Sequence, residues 1–320
     1  MSNPHKHIEK ELAAFEELFK NAVKSNVPLL DRILKYVVKT KGKQLRPTFV
    51  ILSSQLCGNI NEKTYRAASL VELLHTATLV HDDVVDEAAE RRGFFSVYAL
   101  WKNKASVLVG DYLLAKGLLL SLENNDYKTL HILSDAVSKM SEGELLQLEK
   151  SRLLNITEKD YFSIIRNKTA SLLASACAAG ANAATDNDVL TEKMRCFGEY
   201  TGIAFQIKDD LFDYGTDDVG KPTGNDIKEK KLTLPLIFTL EHAESSLKRK
   251  LKYLLKNSNR RKESIDFIIN AVKASGGIEY TIEKMNEYKQ LALNILYEFP
   301  PSETRDCLEA LVKFTTERKK

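Results

Sequence analysis

Two triplets of acids carry the most specific chemistry in this sequence. Asp82, Asp83 and Asp86 form D-D-x-x-D, and Asp209, Asp210 and Asp213 repeat it 127 positions later (209 − 82). On a helix the first and last acid of each triplet lie one turn apart on one face, with the second beside them. Like charges at that spacing cost an exposed helix about 0.2–0.5 kcal/mol. Both triplets sit in apolar sequence, TATLVHDDVV and GIAFQIKDDLF, where poor hydration makes uncompensated carboxylates costlier. A cation held by the acids resolves the conflict; a solvated acidic helix end is the bland alternative. Oxygen ligands favour a hard ion, and Mg²⁺, which keeps waters and accepts phosphate oxygens, fits best.

Basic groups near the triplets could receive phosphate. Lys43 and Arg46, in KGKQLRP, open a predicted helix. Helix N-termini favour anions, so cations there point to a bound anion, or else to an exposed basic turn. Arg91 and Arg92 follow the first triplet and suit bidentate grip on phosphate oxygens, unless they simply pair with Glu87 and Glu90. His75 lies two turns before Asp82 on the same face and could donate to a phosphate oxygen. Lys168-Thr169, Lys221 and Lys231 add cations near the second triplet; singly, each reads as a surface lysine.

The elements that must position these groups are helical. With 14 Gly and 7 Pro in 320 residues, long stretches run without a breaker, and apolar residues recur every three or four positions. Helices are predicted over 8–24, 27–39, 43–57, 62–90, 94–103, 106–123, 127–151, 158–166, 168–184, 188–214, 232–242, 246–256, 260–275 and 277–296. The 62–90 segment is apolar nearly all round, as a helix inside a bundle should be. Residues 169–184 are dominated by Ala and Ser, which lets neighbouring backbones approach. Residues 214–231 (YGTDDVGKPTGNDIKEKK) read as a polar functional loop.

The bulk properties exclude several classes. A net charge of +3 is too balanced to imply a nucleic-acid partner. Four cysteines lie far apart without a C-x-x-C pair, which suggests neither zinc nor disulfides and fits a reducing cytoplasm. No signal-peptide core and no run of about 18 apolar residues is present, so membrane contact is expected to be peripheral, at product release.

GKQLRP, ELLHTATLVHDDVVDEAAERRG, GDYLLA, EGELLQL, KTASLLASA, FQIKDDLFDY and GKPTGNDIKEKKLTLPLI, in that order between Gly42 and Ile237, together resemble the trans-type polyprenyl diphosphate synthases. The resemblance implies one all-α domain over residues 1–320, a large helical bundle of the isoprenoid synthase type around a deep central cavity. It implies a homodimer and two acid motifs facing each other across the cavity mouth. By motif position, Asp82, Asp86 and Asp209 would be the main ligands of three Mg²⁺ ions, with Asp83, Asp210 and Asp213 supporting them. Arg91, Lys168, Thr169, Gln206, Lys221 and Lys231 would hold the allylic diphosphate. Lys43, Arg46, His75 and Arg92 would hold isopentenyl diphosphate. Catalysis would then rest on Asp82, Asp86, Asp209, Lys168 and Lys221. Gln44 and Lys208 depart from common family residues without removing a proposed ligand.

Product length should follow cavity depth. Ala77 and Thr78, five and four positions before the first motif, are small where short-chain relatives carry aromatic plugs. A long product near octaprenyl, used for quinone side chains, is therefore expected, with geranylgeranyl diphosphate the shorter alternative. A class I terpene cyclase would lack the second D-D-x-x-D and the Lys43/Arg46 pair. A metal phosphohydrolase built on His75 and His81-Asp82 would leave the second triplet unexplained. A non-catalytic subunit of a heteromeric synthase would commonly have lost one triplet.

Overall fold

The computed structural model of the chain describes residues 4–40, 42, 44–91, 93–215, 223–258 and 260–318. Lys43, Arg92 and Lys221 lie outside them. Among the described residues the all-α expectation holds: sixteen α-helices, one π-turn and a single two-stranded hairpin. The helices begin with α1 Pro4–His7, α2 Glu9–Ala22, α3 Pro28–Lys39, α4 Leu45–Cys57 and α5 Glu62–Val85. The hairpin strands are β1 Glu90–Arg91 and β2 Phe94–Phe95. There follow α6 Val97–Glu123, α7 Tyr127–Leu153, α8 Glu158–Ile165, the π-turn Arg166–Ala170, α9 Ser171–Ala184 and α10 Asp188–Phe212. The chain continues through α11 Asn225–Lys228, α12 Leu234–His242, α13 Ser245–Asn257, α14 Lys262–Ala274, α15 Gly277–Tyr297 and α16 Glu303–Glu317.

Local chemistry sets several of these boundaries. Asn61 and Thr64 form a reciprocal capping box at the start of α5, and Thr157 and Asp160 do the same for α8. Helix α5 stops at Val85, five residues short of the predicted end. Glu87 there takes a left-handed φ of +48°, and the chain turns into the hairpin, where Gly93 has φ +76°. The predicted break between 103 and 106 appears as a non-helical Lys102 (φ +65°) inside α6. Helix α16 was not foreseen. It follows Pro300 and Pro301, which end one helical pattern, and it buries Cys307, Leu308, Leu311 and Val312.

The chain divides into two compact units. The first comprises Met1–Val137, Ser175–Arg195 and Phe299–Leu308. Its core is α5, whose Leu70, Val71, Leu73, Leu74, Ala77 and Val80 are buried. It packs closely on α6, where a Cβ at Gly117 would come within 2.9 Å of Leu70 and one at Gly110 within 2.2 Å of the His81 ring. The small-residue reading of α9 is borne out: a Cβ on Gly180 would stand 2.2 Å from the Val50 carbonyl of α4.

The second unit comprises Ser138–Ala174, Cys196–Glu298 and Glu309–Lys320. Its core joins Tyr161 and Ile164 of α8, Ile203, Ile207 and Leu211 of α10, and Leu234, Leu236 and Ile237 of α12. Helices α13 and α14 complete it with Leu251, Leu255, Ile268 and Val272. Each buried aliphatic side chain contributes roughly 1.5–3 kcal/mol, so the elements carrying the second triplet rest on a rigid base.

Candidate active site

In the first unit the triplet lies at the C-terminal end of α5, with Asp86 as its C-cap. Asp82 and Asp86 are exposed, whereas Asp83 is 3% exposed and accepts a hydrogen bond from Arg91 Nε at 2.7 Å. Burial pushes the Asp83 carboxyl up, and Arg91 opposes that shift. Arg91 thus spends one donor on the triplet itself rather than on Glu87 or Glu90.

A cleft of about 720 Å³, open mouth included, adjoins Asp83 and Arg91. Phe15, Phe19 and Tyr36 give it an apolar wall, and Gln44 and His75 line its polar side. Arg46 Nη1 donates to His75 Nε2 at 2.8 Å. Because Arg remains protonated, that contact assigns the His75 ring proton to Nδ1. Arg46 and His75, both expected at an anion site, are therefore brought together. Helix α5 contributes Glu72, His75, Thr76, Leu79, Val80 and Asp83 to this cleft. Ala77 is buried and Thr78 half-buried, and neither lines it; by helical spacing they sit on the opposite flank of α5.

In the second unit Asp209 and Asp210 end α10, and Asp213 follows it. The π-turn brings Lys168 and Thr169 to the same cleft, about 570 Å³ with its mouth, as Gln206, Asp210, Asp226 and Lys231. Such turns recur at functional sites because they re-aim side chains within a helix. Here two glycines press on it: a Cβ at Gly143 would lie 2.8 Å from Lys168 N, and one at Gly202 2.7 Å from Ala170 Cα.

A hydrogen-bond chain runs through the cleft. Thr169 Oγ1 donates to Gln206 Oε1 at 2.8 Å, Gln206 Nε2 to Asp210 Oδ1 at 2.8 Å, and Tyr161 Oη to Asp210 Oδ2 at 2.7 Å. Lys168 Nζ meets Gln147 Oε1 at 2.9 Å and Glu144 Oε2 at 2.5 Å. Lys231 pairs with Glu229 at 2.5 Å. Both Asp213 oxygens accept backbone N–H groups, from Asn225 at 2.7 Å and Asp226 at 3.1 Å. Asp209 pairs with Arg318, whose guanidinium lies over Phe205 at 4.4 Å.

Burial, then the charge of Asp226, raises the Asp210 carboxyl to about 8, although Tyr161 and Gln206 oppose the shift. Burial and the neighbouring Asp213 raise Asp226 to about 6. Crowded carboxyls that hold their protons this tightly suit a cation as partner. Among the described residues no three His, Cys, Asp or Glu side chains converge on one ion position.

Sequence reasoning missed Tyr161, Asp226, Glu144, Gln147 and Arg318. Asp226, Glu144 and Gln147 fall inside the blocks GNDIKEKK and EGELLQL, so a signal existed for them. Tyr161 and Arg318 carry none.

The polyprenyl synthetase family model matches residues 27–272. The octaprenyl diphosphate synthase of Escherichia coli is 32% identical over 311 residues, spanning 97% of this chain and 96% of that protein. The structure superposes on a decaprenyl diphosphate synthase from Rhodobacter capsulatus with TM-score 0.94 at 32% identity, covering 99% and 98% of the two chains. It also matches a Caulobacter crescentus polyprenyl synthase complexed with calcium and isoprenyl diphosphate (TM-score 0.90, 33% identity, 99% and 97% covered). The chain belongs to the polyprenyl synthetase family. It is a prenyl-group transferase of the trans type.

Proposed function

We propose that this chain condenses isopentenyl diphosphate onto an allylic diphosphate such as farnesyl diphosphate, making an all-trans polyprenyl diphosphate near octaprenyl for quinone side chains. The observation that carries this reading is the convergence of Lys168, Thr169, Gln206 and Lys231 beside Asp210 in one cleft, a set suited to a diphosphate next to a metal. Lys168 and Lys231, joined by Lys221 and Arg91, receive the allylic diphosphate by exchanging their carboxylate partners for phosphate oxygens. Arg46 and His75, with Lys43 and Arg92, hold isopentenyl diphosphate in the cleft of the first unit.

Asp82, Asp86 and Asp209 are the proposed ligands of three Mg²⁺ ions, with Asp83, Asp210 and Asp213 in support. Bound there, the metal supplies Lewis-acid stabilisation of charge developing on the departing diphosphate. Lys168 and Lys231 share that charge, more in the transition state than in the ground state. As the allylic C–O bond breaks, the isopentenyl double bond provides the electron pair of the new C–C bond. The proton released passes to the departing diphosphate, so no side-chain nucleophile is required.

The apolar flank of α5 at Ala77 and Thr78 is the proposed course of the growing chain. Incubating the protein with Mg²⁺, labelled isopentenyl diphosphate and farnesyl diphosphate, then sizing the dephosphorylated lipid, tests the reading; no product, or product undiminished by chelation, defeats it. Ala77→Phe should shorten the lipid, and an unchanged length places the tunnel elsewhere. The exposed Leu108, Leu118, Leu119 and Leu122 of α6 offer a face for a second copy, consistent with a homodimer. Helix α6 also has the length and apolar composition of a membrane span, but its other face packs on α5. The four free cysteines suit a reducing cytoplasm.

A further inference from the structure

The segment 248–262 of the second unit holds eight Lys and Arg and no acid. The chain's net +3 less these 8 leaves −5 elsewhere, so positive charge is concentrated on one short stretch. Helix α13 buries Leu251 and Leu255, and its 100° spacing places the exposed Arg249, Lys252 and Lys256 within one outward arc, with half-buried Lys248 at its border. Tyr253 stands at the edge of that arc, 63% exposed.

This arrangement works against the helices that carry it. Lys248 with Lys252, and Lys252 with Lys256, are like charges at i,i+4, which oppose helix formation. Arg261 and Lys262 sit at the N-terminal end of α14, where the helix dipole disfavours cations. Among the described residues none of the eight pairs with a carboxylate.

We infer that this face docks on an anionic lipid bilayer. Lysines and arginines spread along one helix face, with an exposed tyrosine among them, match the flat negative headgroup layer and its interfacial zone. Lys230 Nζ donates to Lys256 O at 3.1 Å, tying the end of α13 to the loop whose Lys231 lines the anion cleft. The inference rests on the prenyltransferase reading for its purpose: the product is a lipid diphosphate whose chain belongs in a membrane, and docking sets the cleft that holds its headgroup beside one.

Co-sedimentation of the whole protein with phosphatidylcholine vesicles, with and without phosphatidylglycerol, tests this. Binding should require phosphatidylglycerol and fall as salt rises. The triple variant Lys248→Gln, Lys252→Gln, Lys256→Gln should lose about 100-fold in partitioning while keeping its helical circular dichroism and its prenyl transfer in detergent. A control variant with Lys10, Lys20 and Lys24, all exposed on or beside α2, changed to Gln should bind as the parent does. Equal losses in both variants, indifference to phosphatidylglycerol, or retention on duplex DNA in place of vesicles would overturn the inference. Prenyl transfer in detergent without vesicles reads the catalytic proposal separately, since its absence leaves the vesicle result interpretable.

Discussion

The two acid triplets share one pattern and one spacing, yet they are held in opposite ways. At the end of α5, Asp83 is buried against a permanent cation, Arg91, and its two neighbours face solvent. At the end of α10, the buried acid is Asp210, and the groups that hold it, Tyr161 and Gln206, are neutral. Asp213 is bound to backbone N–H groups, and Asp226 adds a fourth carboxyl to the group. The first triplet carries its own counter-charge. In the second, the cation Arg318 answers Asp209, while the buried Asp210 is met by neutral donors alone.

The largest effect should come from removing the proposed direct ligands. Asp82→Ala and Asp209→Ala are each expected to lower kcat/KM by about 10³-fold, measured by steady-state prenyl transfer at saturating Mg²⁺. A mild effect of either one would make that triplet structural and break the pairing of roles. Next comes Tyr161→Phe, which removes a donor to a buried carboxylate and should cost about ten- to a hundredfold in kcat/KM. If the loss is recovered by raising Mg²⁺, the tyrosine acts by holding Asp210 for the metal.

The pH dependence of stability sharpens the contrast further. Asp210 and Asp226 bind their protons more tightly in the folded chain than in the unfolded one. Their contribution is therefore greatest below the unfolded value near 4 and is lost as pH rises through about 6 and about 8. The melting temperature of the metal-free protein should fall by roughly several degrees between those limits, and Mg²⁺ should restore it at the alkaline end. Asp210→Asn should flatten the profile; a profile unchanged by that substitution assigns the titration to other groups. The smallest effect is expected at the π-turn. Gly202→Ala sets a Cβ against Ala170 and should cost about 1–3 kcal/mol of stability, with KM for the allylic substrate rising more than KM for isopentenyl diphosphate. A purely structural role would move neither KM.

Much of this arrangement is legible without coordinates. The triplets are short, local patterns whose chemistry is contained in the residue types, and Lys168, Thr169, Gln206 and Lys231 stand in blocks specific enough to be located. The helical period also announced itself, because a helix repeats its environment every three to four residues. The hairpin after α5 has no sequence signal of its own, since EAAERRG contains good helix formers and the left-handed turn at Glu87 has no glycine to mark it. Helix α16 lies beyond the recognisable blocks, behind two prolines, where the sequence patterns predict no further helix.

Residue type and spacing by themselves determined that this chain would be helical and would present two acid triplets with attendant cations, and the motif blocks carried its resemblance to a prenyl-transferring family. Only the tertiary structure decided which acid of each triplet is buried and what answers its charge. Arg91, Tyr161, Gln206 and Arg318 reach the acids from 4 to 109 residues away. Burial and hydrogen bonding depend on which elements pack together, and identical letters in a sequence carry no record of their neighbours.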